Sequence, residues 1–176
     1  PVTATLMLGF NRNTLWWLFV NSVCVLAFGV VGMMGIALPM QFNKEYSGFF
    51  FAACQIGLVF TELTPDGATA YLEVQPKLLQ PMGIVHGGVY CSIIESMAST
   101  SAYVWLSANG GGNVVGVNNN TDFLRAIGSG KVFAVSEPVH RGRRQQLWLV
   151  TIRDEQDRVV ARGQVRLQNL ETDPPQ

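Results

Sequence analysis

A chain of 176 residues holds one ordinary domain and little else. With 48% apolar and 14% charged residues it is not a disordered chain, and the apolar share leaves room for a segment in lipid. Twelve Lys and Arg balance twelve Asp and Glu, so net charge gives no reason to expect nucleic acid, and an anionic ligand would need a local basic cluster.

In chain order, residues 1–14 read as a tail and residues 15–40, "LWWLFVNSVCVLAFGVVGMMGIALPM", as an uncharged run long enough to span a bilayer as a helix. Trp16 and Trp17 stand at one end, where interfacial aromatics belong, and Pro39 closes the other. An apolar helix packed on a domain is the other reading of this run. Residues 41–53 form a joint with an aromatic patch, Phe49 to Phe51. The remaining domain is expected over 54–170, followed by a tail at 171–176. Its first two strand candidates, 56–63 and 67–74, alternate in polarity around the turn "TPDG" and predict a hairpin. A long helical pattern follows "MGIVHGG" and stops before "SANGGGN". Four more strands are expected at 114–124, 131–140, 146–154 and 159–170. Two strands, one helix and four strands predict an α+β domain, a sheet of about six strands against one long helix. Cys24, Cys54 and Cys91 are far apart and odd in number, which suggests neither a disulfide framework nor a zinc site and favours a reducing compartment.

On the helix, Val89, Ile93, Met97 and Val104 share a face, with Tyr90, Ile94, Ala98 and Trp105 beside it. Ser92, Glu95, Ser96, Ser99 and Tyr103 form a second stripe with one acid and no base. A solvated face ordinarily mixes both signs, so this stripe is expected to be enclosed or interfacial. Gly87 and Gly88 lack a Cβ, which lets a ligand approach their N–H groups at the positive end of the helix. Such donors can hold a carbonyl oxygen as it becomes an oxyanion. Glu95 lies eight residues beyond Gly87, roughly 12 Å along a helix axis, too far for both to act on one carbonyl carbon. Two antiparallel copies of the helix would bring them together, so the chemistry predicts a two-fold dimer with composite sites.

Three segments carry a resemblance: "LLQPMGIVHGGVYCSIIESMAS", "VVGVNNNTDFLRAI" and "EPVHRGRRQQLWLVTIRDEQDRVVARGQVRL". Residues from about 56 to 170 resemble the hotdog-fold acyl-CoA thioesterases of the phenylacetate-pathway and Arthrobacter 4-hydroxybenzoyl-CoA types, closest in wording to mycobacterial members. The resemblance implies a curved antiparallel sheet wrapped around one long helix, protomers paired through a continuous sheet in a homodimer or dimer of dimers, and hydrolysis of an acyl-CoA to free acid and coenzyme A. It implies Glu95 as nucleophile or general base, the Gly87 N–H on the thioester oxygen, Gln80 supporting that oxygen, His86 near the sulfur, and Ser99 orienting water or the acid. No cofactor is implied, since coenzyme A belongs to the substrate; His86 and His140 are too few to hold a metal. Gly88 is a further backbone contact. Arg141, Arg143 and Arg144 suit phosphates at the nucleotide end, with Arg125 a weaker candidate. Asn118 and Asn120 share a sheet face and are assigned no catalysis. Tyr90, Tyr103, Trp105 and Phe49 to Phe51 could line an aryl or fatty-acyl pocket, although each also reads as core.

Two other functions fit parts of the sequence. A hotdog hydratase or dehydratase also uses a His and an acid, in other sequence contexts. A non-catalytic acyl-CoA binder or membrane-tethered module would be expected to lack the acid, which Glu95 supplies. A coenzyme A thioester is a cytosolic substrate, so the domain is expected in the cytoplasm, with any anchor at 15–40 holding it to the cytoplasmic face of the membrane.

Overall fold

The computed structural model describes Ala53 and residues 55–170. The 15–40 run, Phe49 to Phe51, the 171–176 tail and the 41–53 joint other than Ala53 lie outside the described residues, as do Cys24 and Cys54. Among the described residues no helix is long and apolar enough to cross a membrane.

Six strands and one long helix follow in order: β1 (Leu58–Thr64), β2 (Gly67–Glu73), α1 (Gly87–Ala108), β3 (Asn113–Phe123), β4 (Lys131–Arg141), β5 (Gln145–Asp154) and β6 (Val159–Leu170). All pairings are antiparallel, in the order β1-β2-β4-β5-β6-β3, so β1 and β3 are the edges. This curved sheet with its single long helix is the expected hotdog arrangement. Period-two patterning turns one face of each strand inward. On β4, Val132, Ala134 and Ser136 are buried between exposed neighbours, and on β5 Gln146, Trp148, Val150 and Ile152 are buried in the same rhythm. Ile93, Ile94, Met97 and Ala98 of α1 meet these side chains in one core.

The sheet wraps α1 so far round that part of its polar side is covered too. Of the expected polar stripe, Ser96, Ser99 and Tyr103 are buried, and Ser92 and Glu95 are half-buried. One buried network ties the far half of the helix to the sheet: Trp148 Nε1–H donates to Gln146 Oε1, and Gln146 Nε2–H donates to the Ala102 carbonyl and to Asn169 Oδ1. Such a network stabilises only when every member is satisfied.

Candidate active site

The "His-Gly-Gly" start of α1 has a steric and a hydrogen-bonding explanation. His86 is the N-cap, with extended backbone, and its Nδ1 accepts from the Gly88 N–H at 2.9 Å. An imidazole accepting at Nδ1 in its neutral form carries its proton on Nε2, here on an exposed ring. A Cβ on Gly88 would lie 3.0 Å from that Nδ1, and a Cβ on Gly87 would lie 3.1 Å from the Phe123 ring. The two glycines therefore admit the capping ring and an aromatic from the end of β3. Of the two N–H groups expected to be open to a ligand, that of Gly88 is taken by the His86 side chain. The Gly87 N–H, at the first helical position, bonds no group among the described residues.

Gly87 and Gln80 open into one cavity of about 330 Å³, lined also by Ile84, Val85, Tyr90, Phe123, Leu124, Arg125 and Ala126. Its backbone is fixed by the Gln80 N–H to the Ile84 carbonyl at 2.8 Å and the Val85 N–H to the Ile127 carbonyl at 2.8 Å. Burial pushes the Tyr90 phenol up to about 12, and its buried hydroxyl has no partner among the described residues. Of the residues expected to line an acyl pocket, Tyr90 reaches this cavity, and Tyr103 is in the core. Trp105 packs against the core and stacks with Arg141, whose guanidinium lies 5.7 Å from its ring centroid.

Glu95 sits two turns farther along, outside this cavity and half-buried. Its Oε1 accepts from Ser99 Oγ at 3.3 Å, one helical turn on, and its Oε2 accepts from Asn119 Nδ2 at 3.0 Å. Asn119 Nδ2 also donates to the Cys91 carbonyl at 3.2 Å, and Asn119 Oδ1 accepts from Thr121 Oγ1 at 2.7 Å. Gly116 completes the seat, since a Cβ there would overlap Glu95 Oε1. The register of β3 against β6 shifts between Gly116 and Asn118, a bulge at Val117. That extra residue lets Gly116 and Asn119, three apart, face the same carboxylate.

Asn119, Gly116 and Thr121 are absent from the sequence-based site. Asn118 and Asn120 do share a face, but it is the outer one, where they line a second cavity of about 390 Å³ with His140, Gln164 and Arg166. The usable signal was "NNN" itself. In a strand, one of three consecutive asparagines must face the opposite way from the other two, and a buried amide needs partners.

The basic segment does not converge. Arg141 Nη1 is 2.7 Å from Asp66 Oδ1 and donates to the Pro65 carbonyl at 3.0 Å, which ties it to the β1–β2 turn. Of the three arginines expected to meet phosphates, Arg141 is thus engaged by the β1–β2 turn, and Arg143 and Arg144 are exposed at the β4–β5 turn. Arg125 lines the Gly87 cavity. Among the described residues no three His, Cys, Asp or Glu side chains gather as a metal site would require.

Within this chain the candidate residues fall into two separate groups: Gln80 and Gly87 at one cavity, and Glu95 with Ser99 and Asn119 two turns along α1. Comparison with known proteins identifies the family of the chain. Residues 82–161 match the family model described as the thioesterase superfamily. The Mycobacterium tuberculosis protein named "Putative esterase Rv1847" is 69% identical over 121 residues, 68% of this chain and 86% of that protein. Its solved structure superposes with a TM-score of 0.67 over 69% of this chain and 98% of that one. The proofreading thioesterase EntH of Cronobacter sakazakii is 36% identical over 103 residues, 58% of this chain and 74% of its own length. The structure of thioesterase HI1161 from Haemophilus influenzae, 27% identical, matches with a TM-score of 0.67 over 79% of this chain and 98% of that one. The six-stranded sheet with its one long helix and these matches lead to one conclusion: the chain belongs to the thioesterase superfamily and is a thioester hydrolase.

Proposed function

We propose that the protein hydrolyses an acyl-CoA thioester with Glu95 as the reacting carboxylate and the Gly87 N–H as the donor to the thioester oxygen. The observation that carries this reading is the state of the two half-sites. One helix-terminal N–H is unpaired in a lined cavity, and one carboxylate is held by side-chain donors at the edge strand β3. A carbonyl oxygen seated on the Gly87 N–H would be stabilised as negative charge develops on it, at the positive end of α1. The Gln80 side chain, lining the same cavity, would support that oxygen. His86, with its proton on Nε2 and its ring exposed, could donate to the departing sulfur.

Glu95 serves by either of two balanced routes. As nucleophile, a carboxylate oxygen attacks the carbonyl carbon, the C–S bond breaks with release of the thiolate, and water then cleaves the mixed anhydride. As base, the carboxylate takes a proton from water, whose oxygen attacks the same carbon; the tetrahedral adduct then collapses with cleavage of the C–S bond, and the proton passes on to the departing thiolate as the acid is released. Ser99 would steady the acid or the water in both. Neither route uses a cofactor, and coenzyme A enters as part of the substrate. Arg143 and Arg144 are the candidates for its phosphates, and Arg125 stands beside the oxygen-binding half.

Because the cavity at Gly87 does not include Glu95, the complete site is proposed to form between two copies of the chain. β3 is an eleven-residue edge strand with Val115 and Val117 exposed, and Phe123, Leu124 and Met82 are exposed near the Gly87 cavity. An open edge of that length is a template for strand pairing, and pairing there would cover these side chains. A coenzyme A thioester substrate also places the enzyme in the cytoplasm.

The test is thiol release from a panel of aryl- and fatty-acyl-CoA substrates. Glu95→Gln is expected to lower kcat by a factor on the order of 10² to 10⁴ with the circular dichroism spectrum unchanged. Release at the wild-type rate from Glu95→Gln would remove Glu95 from the mechanism.

A further inference from the structure

Asn119 bears directly on the reacting acid, and its amide is set by groups on both sides. Its two N–H bonds meet two acceptors, Glu95 Oε2 at 3.0 Å and the Cys91 carbonyl at 3.2 Å. Its oxygen meets one donor, the Thr121 hydroxyl at 2.7 Å. A flipped amide would turn Oδ1 toward two other oxygens, so the acceptor pair selects one orientation, and the Thr121 hydroxyl, donating to Oδ1, braces the amide in it. Cys91 precedes Glu95 by four residues, which puts its carbonyl one turn below the carboxylate on α1. The amide thus bridges the helix backbone and the acid.

The strand is shaped for this contact. The bulge at Val117 phases Asn119 inward with Gly116. Thr121, two residues on, shares that face. Opposite Thr121 on β6 stands Gly163, where a Cβ would lie 2.8 Å from Thr121 Oγ1 and 2.9 Å from the Asn120 carbonyl oxygen. A glycine on the neighbouring strand therefore leaves the hydroxyl its position.

We infer that Asn119, oriented by Thr121, is a positioning residue that fixes the carboxylate of Glu95 through Oε2 and leaves Oε1 as the oxygen presented for reaction. Oε1 has only the longer Ser99 contact and lies over Gly116, a position without a side chain on the exposed edge strand. The inference rests on Glu95 being the reacting acid. It predicts that loss of the amide lowers the rate of the chemical step and leaves binding unaltered, because Asn119 lines neither cavity.

The experiment measures kcat and KM of the full chain with one acyl-CoA, for Glu95→Gln, Asn119→Ala, Asn119→Asp, Thr121→Val, Thr121→Ser and the Asn119→Ala/Thr121→Val pair. Asn119→Ala is expected to lower kcat roughly 10- to 100-fold with KM within about twofold of wild type. Asn119→Asp, which keeps the shape but loses the donor, is expected to lose at least as much. Thr121→Val should cost a few-fold in kcat, Thr121→Ser should restore it, and the double variant should be no slower than Asn119→Ala alone, because Thr121 acts through the amide. Near-wild-type kcat in Asn119→Ala beside an inactive Glu95→Gln overturns this inference and leaves the role of Glu95 standing. An active Glu95→Gln overturns both. Should Asn119→Ala fail to fold, the Thr121 pair decides: equal kcat in the valine and serine variants overturns the orientation claim.

Discussion

Glu95 sits inside a helix otherwise devoted to the core because three local features make room for a carboxylate there. Ser99 lies one turn away, Asn119 reaches across from β3, and Gly116 presents backbone where any side chain would collide. The collision at position 116 is with the far end of a flexible glutamate, and this sets what a substitution does. Gly116→Ala is expected to push the Glu95 carboxylate off Oε1's present position and lower kcat about tenfold or more, while the thermal midpoint changes little. An unchanged kcat in that variant would show that the carboxylate does not need this seat. The same reasoning separates the paired glycines at the helix start: Gly88 admits the capping His86 ring, and Gly87 admits the Phe123 ring and keeps an N–H with no partner among the described residues.

Elements are held by similar local chemistry. The β5–β6 turn is organised by Asp154, whose Oδ1 accepts the N–H groups of Gln156 and Arg158 at 3.0 and 2.9 Å. Its Oδ2 meets the Arg158 guanidinium at 2.7 Å. Burial acts to raise the Asp154 carboxyl, but the Arg158 side chain and these N–H donors outweigh it and hold the group below its ordinary value of 3.8. A depressed folded-state value contributes stability above pH 3.8 that is lost as the pH falls below it, because the unfolded chain then takes up the proton first. Denaturant midpoints measured from pH 6 downward to about 2 are expected to fall less steeply for Asp154→Asn than for wild type, from a lower starting value. Parallel curves would contradict the assignment. The strands and the helix were legible in the sequence because alternation and the "HGG…GGG" punctuation are local signals, and all seven elements lie close to the expected spans. The partner of Glu95 was legible only as one of the three asparagines of "NNN": the bulge at Val117 re-phases β3, so unbroken alternation points to Asn118 and Asn120 instead of Asn119. The fate of Arg141 was not legible, because its partner Asp66 lies 75 residues earlier and meets it only through the pairing of β2 with β4.

At the scale of the whole molecule, one chain keeps the two groups of proposed site residues apart. Gln80 and Gly87 face a cavity at the start of α1, and Glu95 faces the edge strand two turns along. If two copies supply the two halves, defects placed in different halves must complement. Co-expression of a Glu95→Gln chain with a Gln80→Ala chain creates mixed dimers in which one of the two sites is intact. With random pairing about a quarter of wild-type sites are restored, well above the average of the two parents. That gain in thiol release, measured on the purified mixture beside each parent alone, is the result the account predicts. A mixture no more active than the average of its parents would contradict it, and the acid and the glycine amide would then have to act within one chain.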